Sequence, residues 1–171
     1  VDLIEMKLQK RTPAHKSDNF AELVCSNSLK ASRVDSAAGL LKEEMRRFGS
    51  ICMAAAEKCS VAAGGALAVD RDIFSSLITE TVKNHPNITI KNEVVTSLNP
   101  QEITVVATGP LTDGGLADEI AKMCDSENLS FYDAAAPIVT KESVDFDSAF
   151  YASRYGKGTD DYINFPMNKE E

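Results

Sequence analysis

At 171 residues, with 43% hydrophobic and 26% charged residues, the chain has the balance of a globular protein with a sizeable core, which excludes a disordered chain. No apolar run approaches the roughly 20 residues that cross a bilayer, and no basic-then-apolar leader opens the sequence, so a cytoplasmic protein without a membrane partner is expected. A formal net charge of -8 weighs mildly against a nucleic-acid partner, because phosphate binding needs clustered Lys and Arg.

The chain starts at Val1 and enters directly into VDLIEM, which reads as a short buried strand ending on Glu5; this abrupt entry is that of a piece of a longer protein. KLQKRTPAHKSDNF follows, polar, basic and punctuated by Pro13, and is a loop by composition. From Ser36 to Cys59 the apolar positions Leu40, Leu41, Met45, Phe48, Ile51, Cys52, Ala55 and Cys59 recur at helical spacing, predicting one helix or two broken near Gly49. Gly64 and Gly65 then permit a turn or a close backbone approach. Asp70 is placed to cap a helix carrying Phe74, Leu77, Ile78 and Val82, which His85 and Pro86 end.

A strand pair is expected at ITI and EVVTSL, a turn at Asn99 and Pro100, and an apolar strand at ITVVATG. A helix with Leu116, Ile120, Met123 and Cys124 on one face comes next. Alternating strands and helices predict an α/β fold. After Asn128 the helical periodicity fades and tyrosines gather, which reads as the entry to a second, strand-rich domain.

The four cysteines show neither CxxC pairing nor the His spacing of a zinc site, so no metal is expected and free thiols are. Cys52 and Cys59 share a helical face and Cys124 ends an apolar stripe, so these three read as core. Cys25 differs, lying between Val24 and the polar run Ser26, Asn27, Ser28. A thiolate so placed can add to C6 of uracil and make C5 nucleophilic, with nearby donors for the enolate oxygen. A buried cysteine at a helix start capped by Ser26 or Asn27 fits the same residues.

Glu5 stands where an acid at a strand end accepts hydrogen bonds from the ribose of an adenosine cofactor, although an exposed acid is the simpler reading of one residue. Thr108 and Gly109, after the ITVV stretch, would let backbone approach a diphosphate or flavin, or are an ordinary turn. Val95 faces either an adenine ring or plain core. His15 is a phosphate contact or a solvated loop residue, and His85 a helix C-terminal residue. In SRYGKG, Arg154 and Lys157 offer a contact for RNA phosphate or folate glutamate, or form a solvated hairpin turn.

In order along the chain, LIEM, TPAH, FAELVCSNSL, GLLKEEMR, AGGALAVDR, NHP, ATGPLT, FYDAAAPIV, SRYGKG and DYIN resemble the TrmFO (Gid) family of methylenetetrahydrofolate-dependent tRNA (uracil-5-)-methyltransferases, and the match covers nearly the whole sequence. The resemblance implies a Rossmann-like FAD-binding domain, related to the GidA flavoproteins, over residues 1–127 with its first strand missing. It also implies the start of an inserted substrate or tRNA domain over 128–171. It further implies transfer of a one-carbon unit from 5,10-methylenetetrahydrofolate to C5 of the T-loop uridine, with FAD as cofactor and NADH or NADPH as reductant.

By the same resemblance Glu5 holds the FAD ribose, Val95 lies beside adenine, and Thr108 and Gly109 face the cofactor. Cys25 is one of two cysteines of the chemistry, the second lying beyond Glu171. The glycine-rich phosphate turn is missing at the front. Lys7 and Leu8 stand where the family often has Arg and Pro, and Phe165 stands where relatives have cysteine. These 171 residues alone are expected to be inactive and to carry no flavin. Two other functions fit less well: a GidA-like flavoprotein acting on the wobble uridine, against which CSNS and FYDAAAPIV speak, and a non-catalytic cofactor- or RNA-binding module.

Overall fold

The computed structural model describes residues 1–109, 111–112, 114–124, 139–153 and 156–170. Its chain divides into two compact units. One comprises Val1–Asn19 with the described part of Val82–Ala135, the other Phe20–Thr81 with the described part of Ala136–Glu171. The domain junction expected at 127/128 falls within 125–138, outside the described residues.

The first unit is organised by a parallel strand pair, β1 (Asp2–Glu5) and β5 (Thr89–Asn92), in register from Asp2 opposite Thr89 to Glu5 opposite Asn92. Lys91 Nζ reaches Asp2 Oδ2 at 2.6 Å across the pair. This salt bridge holds the Asp2 carboxyl below the usual carboxylate range and the Lys91 amine above its own. β1 was expected to be buried; instead Ile4 is 47% exposed, because β5 is its only neighbour among the described residues. The basic stretch after it is the expected loop, with Gln9 and Lys10 amides both donating to Met6 O and the Lys7 ammonium to Asn19 O.

The strands expected at EVVTSL and ITVVATG do not form. Their β-branched and apolar content suits a strand, but no described segment lies alongside to complete a ladder, and a strand exists only through its neighbour. Ile103 and Val105 are accordingly 103% and 85% exposed. The helix expected after them is present as α4 (Gly114–Met123), with Gly115 against Thr96, where an added Cβ would lie 3.0 Å from the threonine Cβ.

The second unit holds an antiparallel sheet of β2 (Ser28–Ala31), β4 (Ala66–Val69) and β3 (Ser60–Val61), in the order β2-β4-β3. β2 is irregular, with a register shift between Ser28 and Ala31 and Lys30 at φ 66°. The predicted break near Gly49 separates α1 (Ala37–Arg47) from α2 (Ile51–Lys58), with Gly49 at φ 72° and Ser36 and Ser50 capping the two N-termini through their hydroxyls. The apolar stripe of α1 does not coincide with its buried face: Leu40, Leu41 and Phe48 are exposed, while Gly39 and Lys42 are buried. Gly39 lies against the Arg33 backbone, where an added Cβ would meet the carbonyl oxygen at 1.8 Å. Lys42 satisfies its ammonium on the Ala31 and Ala38 carbonyls, both at 3.1 Å.

α3 (Arg71–Lys83) begins as expected at Asp70, whose Oδ1 accepts the Asp72 and Ile73 amides at 3.0 Å each. Phe74, Ile78 and Val82 are buried along it, and the helix stops before His85 and Pro86. After a 3₁₀ turn (Lys141–Ser143), β6 (Phe150–Ala152) and β7 (Tyr162–Asn164) form an antiparallel pair, the only strands described beyond residue 138. The result is a mixed α/β structure with one parallel pair among the described residues.

Candidate functional site

The polar run after Cys25 is not a helix cap; it is the lead into β2. Ser26 Oγ accepts the Ser28 amide at 3.1 Å, folding a tight turn. Asn27 bonds twice to the last residue of β4: its carbonyl accepts the Val69 amide at 3.0 Å, and its Nδ2 donates to the Val69 carbonyl at 3.1 Å. The segment is thus pinned at Asn27, and Cys25 stands exposed two residues upstream.

Ser26, Asn27 and Ser28 form one wall of an open recess of about 250 Å³, completed by Val61, Ala62, Ala63, Ala68, Asp161 and Tyr162. Asp161 comes from the distant end of the sequence. Its Oδ2 accepts the Gly64 amide at 2.7 Å and the Thr159 hydroxyl, and these donors hold its carboxyl below the usual range. The same region makes the close backbone approach foreseen at Gly64 and Gly65. Gly158, at φ 86°, lies so near that an added Cβ would stand 2.7 Å from the Gly65 nitrogen. Asp161 and Tyr162 were missed as site residues, although DYIN was noted as a motif; nothing in the sequence ties them to Cys25.

The other thiols separate by environment. Cys59 is buried and donates to the Ala55 carbonyl at 3.1 Å, and burial pushes its thiol up, with Asp70 adding to the rise. Cys52 is half-buried and pushed up by burial alone. Cys124, expected in the core, is exposed, because no residue of α4 is buried.

Glu5, Val95, Thr108 and Gly109 all belong to the first unit. Glu5 ends β1, its Oε1 accepting the Lys7 amide at 2.9 Å and its carbonyl the Glu93 amide at 3.2 Å. Val95 is half-buried three residues past β5. The Thr108 hydroxyl pairs with that of Thr112, and Gly109 adopts φ 79° with open space where a Cβ would stand. Lys157 is exposed in the second unit; Arg154 lies outside the described residues. His15 bonds Thr12 Oγ1 through Nδ1 at 2.6 Å. Among the described residues no three His, Cys, Asp or Glu side chains group as metal ligands, and no helix is long and apolar enough to cross a membrane.

Comparison with known proteins extends these observations. The family described as glucose inhibited division protein A matches residues 1–171. The chain is 59% identical over its whole length to the methylenetetrahydrofolate--tRNA-(uracil-5-)-methyltransferase TrmFO of Caldicellulosiruptor bescii, covering 39% of that protein. Proteins of the same name from Natranaerobius thermophilus and Staphylococcus haemolyticus are 57% and 55% identical over the whole chain, of which it covers 40% and 39%. The chain therefore spans about two fifths of the length of these relatives. A match from the first residue to the last makes the chain a member of the glucose inhibited division protein A family, with a likeness to TrmFO relatives that runs its whole length.

Proposed function

We propose that the protein is a folate-dependent tRNA uracil-5-methyltransferase that forms 5-methyluridine in the T-loop, with Cys25 as a catalytic thiol. The observation that carries this reading is the 59% identity to a TrmFO enzyme over all 171 residues. The exposure of Cys25, next in the chain to the recess-lining Ser26, supports it, because an attacking thiol must reach its substrate.

FAD fits the residues of the first unit. Glu5 ends a parallel strand with one carboxylate oxygen on the Lys7 amide, leaving the other for a ribose hydroxyl. Gly109 has the conformation and the open space that a close cofactor approach uses. Val95 serves adenine, and Thr108 with Gly109 forms the cofactor-facing turn. When bound, FAD together with 5,10-methylenetetrahydrofolate and NAD(P)H supplies the one-carbon unit and the reducing equivalents. The protein's own part is to add Cys25 to C6 of the uracil, holding that thiol on the Asn27-pinned segment, and to collect RNA phosphate or folate glutamate with Arg154 and Lys157. The domain division at 127/128 and a cytoplasmic location belong to the same reading.

The full-length protein, given folate donor, FAD, reductant and a tRNA transcript, is expected to form 5-methyluridine at the T-loop, read by mass spectrometry of digested RNA. Cys25→Ala should lower the rate at least about 10³-fold without moving the unfolding midpoint. Product at the wobble uridine instead, or an unaffected Cys25→Ala enzyme, overturns the proposal in its first or second half respectively.

A further inference from the structure

The recess lined by Ser26, the residue after Cys25, contains one ionic side chain, Asp161, to which the proposed reaction gives no task. Its position is fixed rather than loose: Gly64 and Thr159 donate to Oδ2, and the Gly158 backbone is packed against Gly64 and Gly65. A carboxylate held in this way accepts hydrogen bonds and cannot donate them. Ser26, Ser28 and Asn27, which line the same recess, carry groups that both donate and accept. Ala62, Ala63 and Ala68 add small apolar surface, and Tyr162 adds an aromatic ring. A volume of about 250 Å³ suits one small ring, since pockets for drug-sized ligands start near roughly 300 Å³.

Uracil and cytosine differ at the edge such a site would read. Uracil carries an N–H at N3, between two carbonyl oxygens. Cytosine carries a lone pair at N3. A fixed anion attracts the first and repels the second, so it selects by an added attraction and an added repulsion at once. We infer that Asp161 is a specificity-determining residue for the proposed reaction: its carboxylate accepts the N3–H of the target uracil while Cys25, next in the chain to Ser26, addresses the ring. This inference rests on the function proposed above.

The test uses the full-length enzyme with FAD, folate donor and reductant, and tRNA transcripts carrying uridine, N3-methyluridine or cytidine at the target position. Covalent Cys25–RNA adduct and methyl incorporation are both followed. N3-methyluridine should lower kcat/KM at least about 10-fold in the unsubstituted enzyme. Asp161→Asn, whose amide oxygen can still accept the Gly64 amide, should lower the uridine rate about 10–100-fold, raise the cytidine-to-uridine adduct ratio and shrink the N3-methyl penalty.

Unchanged base discrimination in Asp161→Asn, or a normal rate on N3-methyluridine, overturns the inference. An N3-methyl penalty undiminished in Asp161→Asn overturns it too, because the methyl group then acts by bulk. The N3-methyl comparison needs no substitution and decides even where the variant does not fold. An unsubstituted enzyme that neither forms adduct nor methylates uridine overturns the proposed function itself, a failure distinct from the others.

Discussion

Cys25 and Cys59 have the same side chain and opposite prospects. Cys25 is exposed on a pinned polar segment, whereas Cys59 is buried at the C-terminal end of α2 with its thiol pushed up by burial and by Asp70. Since the thiolate is the reacting form, iodoacetamide at pH 8 should label Cys25 at least about 10-fold faster than Cys59, read peptide by peptide by mass spectrometry. Equal rates would mean that exposure does not govern these thiols. Helical spacing marks Cys59 as core in the sequence, whereas the polar flanks of Cys25 fit a buried, capped position as well as an exposed one, and the structure decides for exposure. Cys124 was not legible: its apolar stripe is present, but a stripe states a capacity for burial and not the existence of something to bury it. Asp161 was illegible for another reason. Its bond to the Gly64 amide joins residues 97 apart, and no local pattern encodes that meeting.

At the scale of elements, the punctuation of the chain was read well. Gly49 between two helices, Asp70 at the head of α3 and His85-Pro86 after it all act through local backbone chemistry, which sequence displays directly. Replacing Asp70 by Ala removes the acceptor of two amides and should cost about 1 kcal/mol in urea unfolding, while Asp70→Asn should cost less than half of that. A loss within error for Asp70→Ala would remove the cap from the account of α3. Pairing was read poorly. EVVTSL and ITVVATG have strand composition, but a ladder requires a second strand, and only the three-dimensional structure states which segments find one.

The β1–β5 pair carries its own pH dependence. Asp2 is depressed by Lys91, so its share of stability is present above the ordinary carboxylate range and lost as pH falls through the lowered value. Lys91 is raised by Asp2, so its share is present below the ordinary lysine range and lost as pH rises through the raised value. The window between them spans neutral pH. Lys91→Met should therefore lower the unfolding midpoint slightly at pH 7 and leave it unchanged at pH 2; both groups are exposed, so the effect is small. An equal shift at both pH values would place the effect in packing and not in the ion pair.

Over the whole molecule, apolar surface lies open in both units: Ile103 and Val105 in the first, Leu40, Leu41 and Phe48 in the second. Exposed apolar patches and an open strand edge favour association, most strongly where net charge is small. The 171-residue chain should therefore sediment as larger species as pH is lowered from 7 toward its isoelectric point near 4.8, and Phe48→Asp should reduce this at pH 7. A monodisperse monomer throughout would show that these side chains do not drive contact. Composition had foretold a core; which apolar residues would be left outside it was beyond the reach of periodicity.

The second unit draws its residues from two stretches, one beginning at Phe20 and the other near the end of the chain. On the ribosome Cys25 emerges well before Asp161 and Tyr162, and at about 5–20 residues per second the interval lasts on the order of ten seconds. During that interval the thiol is exposed while the recess beside it lacks its far wall. Thiol chemistry with small oxidants is therefore open to the nascent chain before recognition of a base is, so a reducing partner that acts during synthesis would meet this cysteine before its recess is complete.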